Sequence, residues 1–177
     1  MVPAIIACEI GFWVLLLAGL TARYPLRAKT LSTVLLLCVP LVDVVLLALS
    51  VVDLRGGGEA SAAHGLAAGY LGASVAFGGQ LVRWTDQRFA HRFAGGPAPA
   101  RAPRHGREHA AHERRQWLRH LAAYVVAVAV MGLFTLLVGD PERVAPMWGP
   151  MGVWGIVVAI DFLISFSYTI APRKARS

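Results

Sequence analysis

One stretch of sequence decides the fold: residues 30–52 read TLSTVLLLCVPLVDVVLLALSVV, with Asp43 as the only charged side chain. A helix needs about 20 predominantly apolar residues to cross the roughly 30 Å hydrocarbon core of a bilayer. Each leucine or valine favours insertion by roughly 0.4 kcal/mol, whereas a central carboxylate costs about 3 kcal/mol. The 8 leucines and 7 valines of this stretch outweigh that cost, so we predict a transmembrane helix here.

Four further segments have the same length and apolar character: 3–21, 61–82, 119–139 and 147–170. The chain of 177 residues is 56% hydrophobic and only 15% charged, which is too apolar for a typical soluble domain. The first segment carries Glu9 and lacks a basic leader, so we interpret it as a retained span and not as a signal peptide. The sequence predicts an all-α membrane protein: a five-transmembrane-helix bundle that forms a single integral membrane domain over residues 1–177.

The charges alternate between the two sides of this predicted bundle. The basic connections 22–29 and 83–118 (with Arg119 at its border) and the tail 171–177 together carry +12, whereas the connections 53–60 and 140–146 carry −2. Basic loops stay in the cytoplasm, so we predict a multi-pass protein with its N-terminus outside and its C-terminus in the cytoplasm. The preference for arginine over lysine is typical of GC-rich bacteria, which suggests a bacterial plasma (inner) membrane.

The predicted cytoplasmic loop, 83–118, is too short to contain a catalytic domain. Its first part, 83–94, alternates basic and aromatic residues and predicts a short juxtamembrane helix on the membrane surface. A linker rich in glycine and proline follows at 95–106, and a helix from 107 runs into the fourth span. The basic residues flank membrane spans, so we expect anionic lipids as partners at the cytoplasmic face and no nucleic acid.

Three histidines of this loop are spaced for one helix face, if the helix includes the first of them: His105, His109 and His112. His105 to His109 also matches the H-x-x-E-H pattern of some zinc proteases. A protease needs a third ligand and a shaped cleft, for which the loop has no room. We therefore predict no metal site, and we interpret these side chains as a solvated basic face. The sequence contains no phosphate-binding or dinucleotide-binding glycine motif, so no cofactor and no catalytic residue is predicted.

Polar side chains within the spans are the candidate functional residues, since such residues are costly and face the bundle interior. The candidate intramembrane polar site consists of Glu9, Asp43, His64, Asp161, Ser165 and Tyr168. Depth predicts that Glu9 pairs with His64 near the outer surface. Asp43 and Asp161 have no basic residue at their predicted depth, so we expect one carboxyl to stay protonated and to donate a hydrogen bond to the other.

Small residues predict where the helices approach closely. Gly65 and Gly69 form a G-x-x-x-G motif in the third span, a pattern typical of close helix packing in membranes. Gly149, Gly152 and Gly155 are expected to act in the same way in the fifth span.

Two functional hypotheses remain open. In the first, the polar groups join helices in a non-enzymatic accessory or interaction protein, which works with a membrane protein partner or as a homo-oligomer. In the alternative, they form the pathway of a small proton- or ion-linked transporter. A membrane enzyme ranks third.

Four stretches carry a resemblance to a known family: CEIGFW at 8–13, HGLA at 64–67, WTDQRF at 84–89 and DFLISFSY at 161–168. They resemble the YmcC-like group of uncharacterised small bacterial inner-membrane proteins. The resemblance implies an integral membrane protein of unassigned activity, and it implies no catalytic residue.

Overall fold

The computed structural model describes the backbone of residues 2–93, 95–100, 102–103 and 105–171, and their side chains except those of residues 2–6, 9 and 63. Every regular element among these residues is helical. The elements are α1 (Val2–Arg23), α2 (Lys29–Arg55), α3 (Ala62–Phe93), α4 (Gly106–Val138), α5 (Pro141–Val144), a 3₁₀ turn (Ala145–Trp148) and α6 (Gly149–Ile170).

Four stretches of the described chain are long and apolar enough to cross a membrane: α2, the part of α3 from His64, α4, and the continuous stretch Pro141–Ile170. The prediction of an all-α membrane protein is therefore confirmed. The apolar stretch that the structure describes in α1, Ile10–Arg23, is shorter. The count of five spans thus depends on α1, and it stays a prediction.

The helices pack in sequence order. α1 lies along α2, α3 lies along α4, and α4 lies along α6, with a smaller contact between α2 and α3. The core lies near α5, where Leu54, Met131, Val144 and Met147 are fully buried. We call this the acidic end of the bundle, since the connections with Glu59 and Asp140 lie there. The opposite end, which carries Arg23, Arg83 and Arg119, is the basic end.

Much of the remaining apolar surface is exposed. Large aliphatic side chains on several helices are more than half exposed, among them Leu37, Val75, Leu136 and Leu163. A soluble monomer rarely exposes apolar patches of this extent. In a bilayer the same side chains contact lipid tails, as the hydropathy predicts.

Glycines on α3 allow its close approach to the helices beside it. A Cβ at Gly65 would overlap the carbonyl oxygen of Met147, and one at Gly72 would overlap that of Ala123. The predicted close packing at Gly65 is thereby confirmed. The expectation for the fifth span is wrong at two positions, because a Cβ at Gly149 or Gly152 would meet nothing within 4 Å.

The predicted surface helix at 83–94 is also wrong, because α3 continues without a break to Phe93. No glycine or proline interrupts the helix between Gly79 and that end. The extension is held against the end of α1 by a two-fold ion pair, in which the Arg23 guanidinium donates to both carboxylate oxygens of Asp86. The described residues of the linker, 95–100 and 102–103, are non-helical, and α4 begins at Gly106 and runs unbroken to Val138.

Candidate functional site

A group of polar contacts joins α4 to α6. The His120 Nδ1 atom lies 3.0 Å from Asp161 Oδ2, and the Trp154 indole N–H donates to His120 Nε2 at 2.7 Å. An indole nitrogen can only donate, so Nε2 is the acceptor. The imidazole proton therefore sits on Nδ1 and is donated to Asp161. We call His120, Trp154 and Asp161 the histidine cluster.

Sequence reasoning missed His120, and the prediction that Asp161 has no basic residue at its depth is wrong. His120 lies at the start of the predicted fourth span, 119–139, directly after the basic residue Arg119. In the antiparallel pairing of α4 and α6, Arg114 reaches Thr169 and the Trp117 indole donates to the Val158 carbonyl at 3.1 Å. This register brings the first apolar turn of α4 level with Asp161. The sequence does contain a signal for this contact: Trp154 and Asp161 are seven residues apart and therefore lie on one face of α6, where a polar partner from another helix is expected.

The rest of the polar face of α6 packs against α4. Ser165 is 1% exposed, and the ring of Tyr168 lies 4.8 Å from the imidazole of His109. The ring centroid of Trp117 on α4 lies 5.1 Å from that of Phe162, the residue that follows Asp161 on α6. These residues line an interface between two helices, and the hydrogen bond between His120 and Asp161 lies within it.

Asp43 lies apart from this interface. Its side chain is 9% exposed, and within the part of the chain that the structure describes its Oδ2 atom has no hydrogen-bond partner. The predicted hydrogen bond between Asp43 and Asp161 is therefore wrong. Pro40, one turn earlier in α2, lines the groove described below.

His64 lies at the acidic end, where it caps its own helix. Its Nδ1 atom is 3.3 Å from the Ser61 backbone N–H and 3.1 Å from the Ser61 hydroxyl. The side chain of Glu9 is outside the described residues, so the predicted pair of Glu9 and His64 stays a prediction. The structure thus brings Asp161, Ser165 and Tyr168 to one interface, and it places Asp43 and His64 elsewhere.

The histidines of the basic loop do not form one face. α4 begins at Gly106, so His105 precedes the helix. His109 is buried and lies 3.0 Å from the Pro103 carbonyl oxygen and 3.6 Å from a carboxylate oxygen of Glu113. Among the described residues, no three histidine, cysteine or acidic side chains are grouped so that they could hold a metal ion.

An apolar groove of about 570 Å³ opens between α2 and α3 in the basic half, backed by α1. In the acidic half, Leu47 and Val51 of α2 and Ala68 and Leu71 of α3 belong to one buried apolar cluster. The groove is lined mainly by Leu36, Val39 and Pro40 of α2 and by Ser74, Val75 and Gly78 of α3. At its basic end the lining includes Arg23, and its acidic side is marked by the ring contact of Phe12 with Tyr70 at 5.4 Å.

Long apolar helices, lipid-facing aliphatic surface and polar contacts between helices define the class: an all-helical, multi-pass membrane protein. The chain is 38% identical over 174 residues to the uncharacterized membrane protein YmcC of Bacillus subtilis (strain 168), a match that covers 98% of this chain and 93% of that protein. The chain therefore belongs to the YmcC family of uncharacterised membrane proteins. No family model matches the chain, and no solved structure matches it.

Proposed function

We propose that this protein is a non-enzymatic accessory protein of the bacterial plasma membrane, which holds a transmembrane helix of a partner membrane protein over the groove between α2 and α3. The groove is the observation that carries the proposal. It has a volume of about 570 Å³, and its wall is almost entirely apolar, as a site for a transmembrane helix would be.

The small residues of α3 support a helix as the occupant. Gly65 and Gly72 make close contacts within the chain, whereas a Cβ at Gly78 would meet nothing within 4 Å. A glycine inside a helix costs about 1 kcal/mol relative to alanine, and no contact within the described chain accounts for Gly78. Ser74 precedes it by one turn. Small and hydroxyl residues at this spacing let a second backbone approach closely and offer it a hydrogen bond.

The polar residues also favour an accessory protein. A transport pathway needs its ionisable groups in line along one cavity. Here Asp43, His64 and Asp161 lie at three separate places, and the lining of the groove includes none of them. His64 and Asp161 each have a structural partner.

A photo-crosslinking amino acid at Val75 tests this proposal in native membranes. Val75 lines the groove and is 64% exposed, and the matched control is Val125 of α4, which is 56% exposed and lies outside the groove. We expect one defined protein adduct from Val75 and none from Val125. Gly78→Leu should remove the adduct by filling the groove, whereas Gly132→Leu, at an open glycine of α4, should leave it. An adduct with lipid alone, or equal adducts from both positions, would contradict the proposal.

We further propose that α1 is a fifth span and that the basic end faces the cytoplasm. The charge difference between the two ends supports this orientation, and the 22 residues of α1 amount to about 33 Å of helix. The test replaces Cys8 and Cys38 by alanine and adds one cysteine. An impermeant maleimide should label Glu59→Cys in intact cells and Ala100→Cys only after lysis. The reverse pattern would overturn the orientation.

A second candidate function, proton-linked transport, is favoured by the histidine cluster alone. If it is correct, proteoliposomes should dissipate a pH gradient, and Asp161→Asn should abolish the flux while Asp140→Asn at the acidic end leaves it intact. The absence of flux through the unaltered protein would reject proton-linked transport. The crosslinking experiment tests the accessory function independently of this result.

A further inference from the structure

A second cavity, of about 850 Å³, lies at the basic end on the opposite face of α3 from the groove. Its walls are the extension of α3, the linker residues 99–100 and 102–103, and the first half of α4. We call it the basic pocket. Among the described residues, three guanidinium groups line it, from Arg83, Arg88 and Arg119, against a single carboxylate from Glu113.

The three guanidinium groups have no acidic partner among the residues that the structure describes. Arg119 donates to the side-chain amide oxygens of Gln80 and Gln116. Arg88 lies over the ring of Trp84, 4.3 Å from its centroid. Elsewhere in the protein, arginines at the two ends of the bundle do have such partners, since Arg23 pairs with Asp86 and Arg143 with Asp140.

The acid in the basic pocket does not neutralise this charge. Glu113 carries one negative charge against the three arginines, and its described ionic contact is with His109, 3.6 Å away on the same wall of the pocket. The pocket therefore combines an excess of positive charge with neutral hydrogen-bonding amides. This combination suits a phosphate group, because arginine binds phosphate oxygens through parallel, charge-assisted hydrogen bonds.

The depth of the basic pocket matches the polar surface of a bilayer. Trp84 lines it and is 48% exposed, and tryptophan is enriched at the level of lipid headgroups. The apolar run of α4 begins directly after Arg119 and His120. A phosphate at this depth would lie where the headgroups of an anionic phospholipid lie, and it would also be reachable from the aqueous phase.

We infer that the basic pocket is a binding site for a phosphate group, carried either by an anionic phospholipid headgroup or by a soluble phosphate ester. This site goes beyond the proposed function and does not depend on it, since the groove and the basic pocket lie on different faces of α3. Arg83 and Arg119 supply the guanidinium donors, and Arg88 is oriented by its stacking on Trp84.

Reconstitution into nanodiscs of equimolar phosphatidylcholine and phosphatidylglycerol, followed by native mass spectrometry, measures the lipid that stays bound. Arg83→Gln and Arg119→Gln should each weaken retention of phosphatidylglycerol by about tenfold, the effect of losing one charge-assisted hydrogen bond. The matched control is Arg115→Gln, which removes the same charge from an exposed position of α4 outside the pocket. It should leave retention unchanged. The described contacts of Arg83 include no hydrogen bond or ion pair, so its variant should fold normally.

Competition distinguishes the two sources of the phosphate. If glycerol phosphate leaves the bound lipid in place, the site takes a lipid headgroup. If glycerol phosphate displaces it, with the same sensitivity to Arg83→Gln, the site takes a soluble phosphate ester. Equal losses in Arg115→Gln and in the pocket variants would overturn the inference, because retention would then reflect only the general positive charge of this end. Full retention in both pocket variants would overturn it as well.

Discussion

Adding one methyl group at Gly72 tests how closely α3 and α4 pack. A Cβ there would overlap the carbonyl oxygen of Ala123, and it would lie 3.0 Å from the backbone nitrogen of Ala127 and 3.1 Å from its Cβ. Ala123 and Ala127 are fully buried. The obstructing atoms belong mainly to the backbone, so no flexible side chain can move aside. The two helices must separate to admit the methyl group.

The size of the effect follows from a matched pair of variants. Gly72→Ala and Gly78→Ala both replace a glycine inside α3, and both gain about 1 kcal/mol of helix propensity. Only Gly72→Ala overfills a contact, which typically costs about 1–3 kcal/mol. Since the propensity gain cancels in the comparison, we expect Gly72→Ala to be less stable than Gly78→Ala by about 2 kcal/mol. That difference corresponds to about a 30-fold change in the unfolding equilibrium.

Reversible unfolding in mixed detergent and SDS micelles, followed by circular dichroism and tryptophan fluorescence, measures this difference. The free energy of unfolding of both variants is compared with that of the unaltered protein in the same micelles. Gly78→Ala should be as stable as the unaltered protein or more stable. Equal stability of the two variants would refute the close contact between α3 and α4 at this position.

Substitutions at three further side chains have expected outcomes, the first two in the same unfolding assay and the third by amide hydrogen exchange. Asp161→Ala should cost about 1 kcal/mol, because the imidazole N–H of His120 loses its acceptor, whereas Asp161→Asn keeps an oxygen acceptor and should recover most of that loss. Asp86→Ala should cost about 2 kcal/mol by leaving a nearly buried guanidinium unpaired; an unchanged stability would contradict the ion pair as the contact that holds the α3 extension. Arg143→Met removes the 2.6 Å bond to the Leu54 carbonyl, so amide exchange at the end of α2 should become faster while exchange at the end of α4 stays the same.

The sequence predicts the helices and their apolar lengths because the cost of burying a backbone in hydrocarbon leaves little choice. Residues 30–52 lie wholly within α2, and the fourth span and its helical approach lie within α4 except for Gly139, the residue that caps its end. Close packing at Gly65 was also predictable, because a glycine in a G-x-x-x-G motif has no Cβ and lets another backbone approach the helix closely. These features depend on local composition and on helix geometry alone.

The polar contacts were not predictable in the same way, because they depend on the register between helices. His120 directly precedes the apolar run of α4, at the start of the predicted fourth span, so its sequence position alone does not place it level with Asp161. Only the antiparallel offset of α4 and α6 brings its imidazole to Asp161. In the same way, the basic and aromatic pattern of 83–94 is compatible both with a surface helix and with an extension of α3, and the partner on α1 decides between them.

Asp43, like Ser32 in the same helix, has no described partner for its buried side-chain oxygen. Asp161 has a histidine and His64 has the start of its own helix, so the fold accounts for both. A buried polar atom without a partner is costly, and it lies one turn from Val39 and Pro40, which line the groove. A partner helix over that groove would bring its own polar groups close to this turn of α2. The unpaired carboxyl and the open glycine of α3 therefore favour the same conclusion: the contacts within this chain leave the surface between α2 and α3 incomplete.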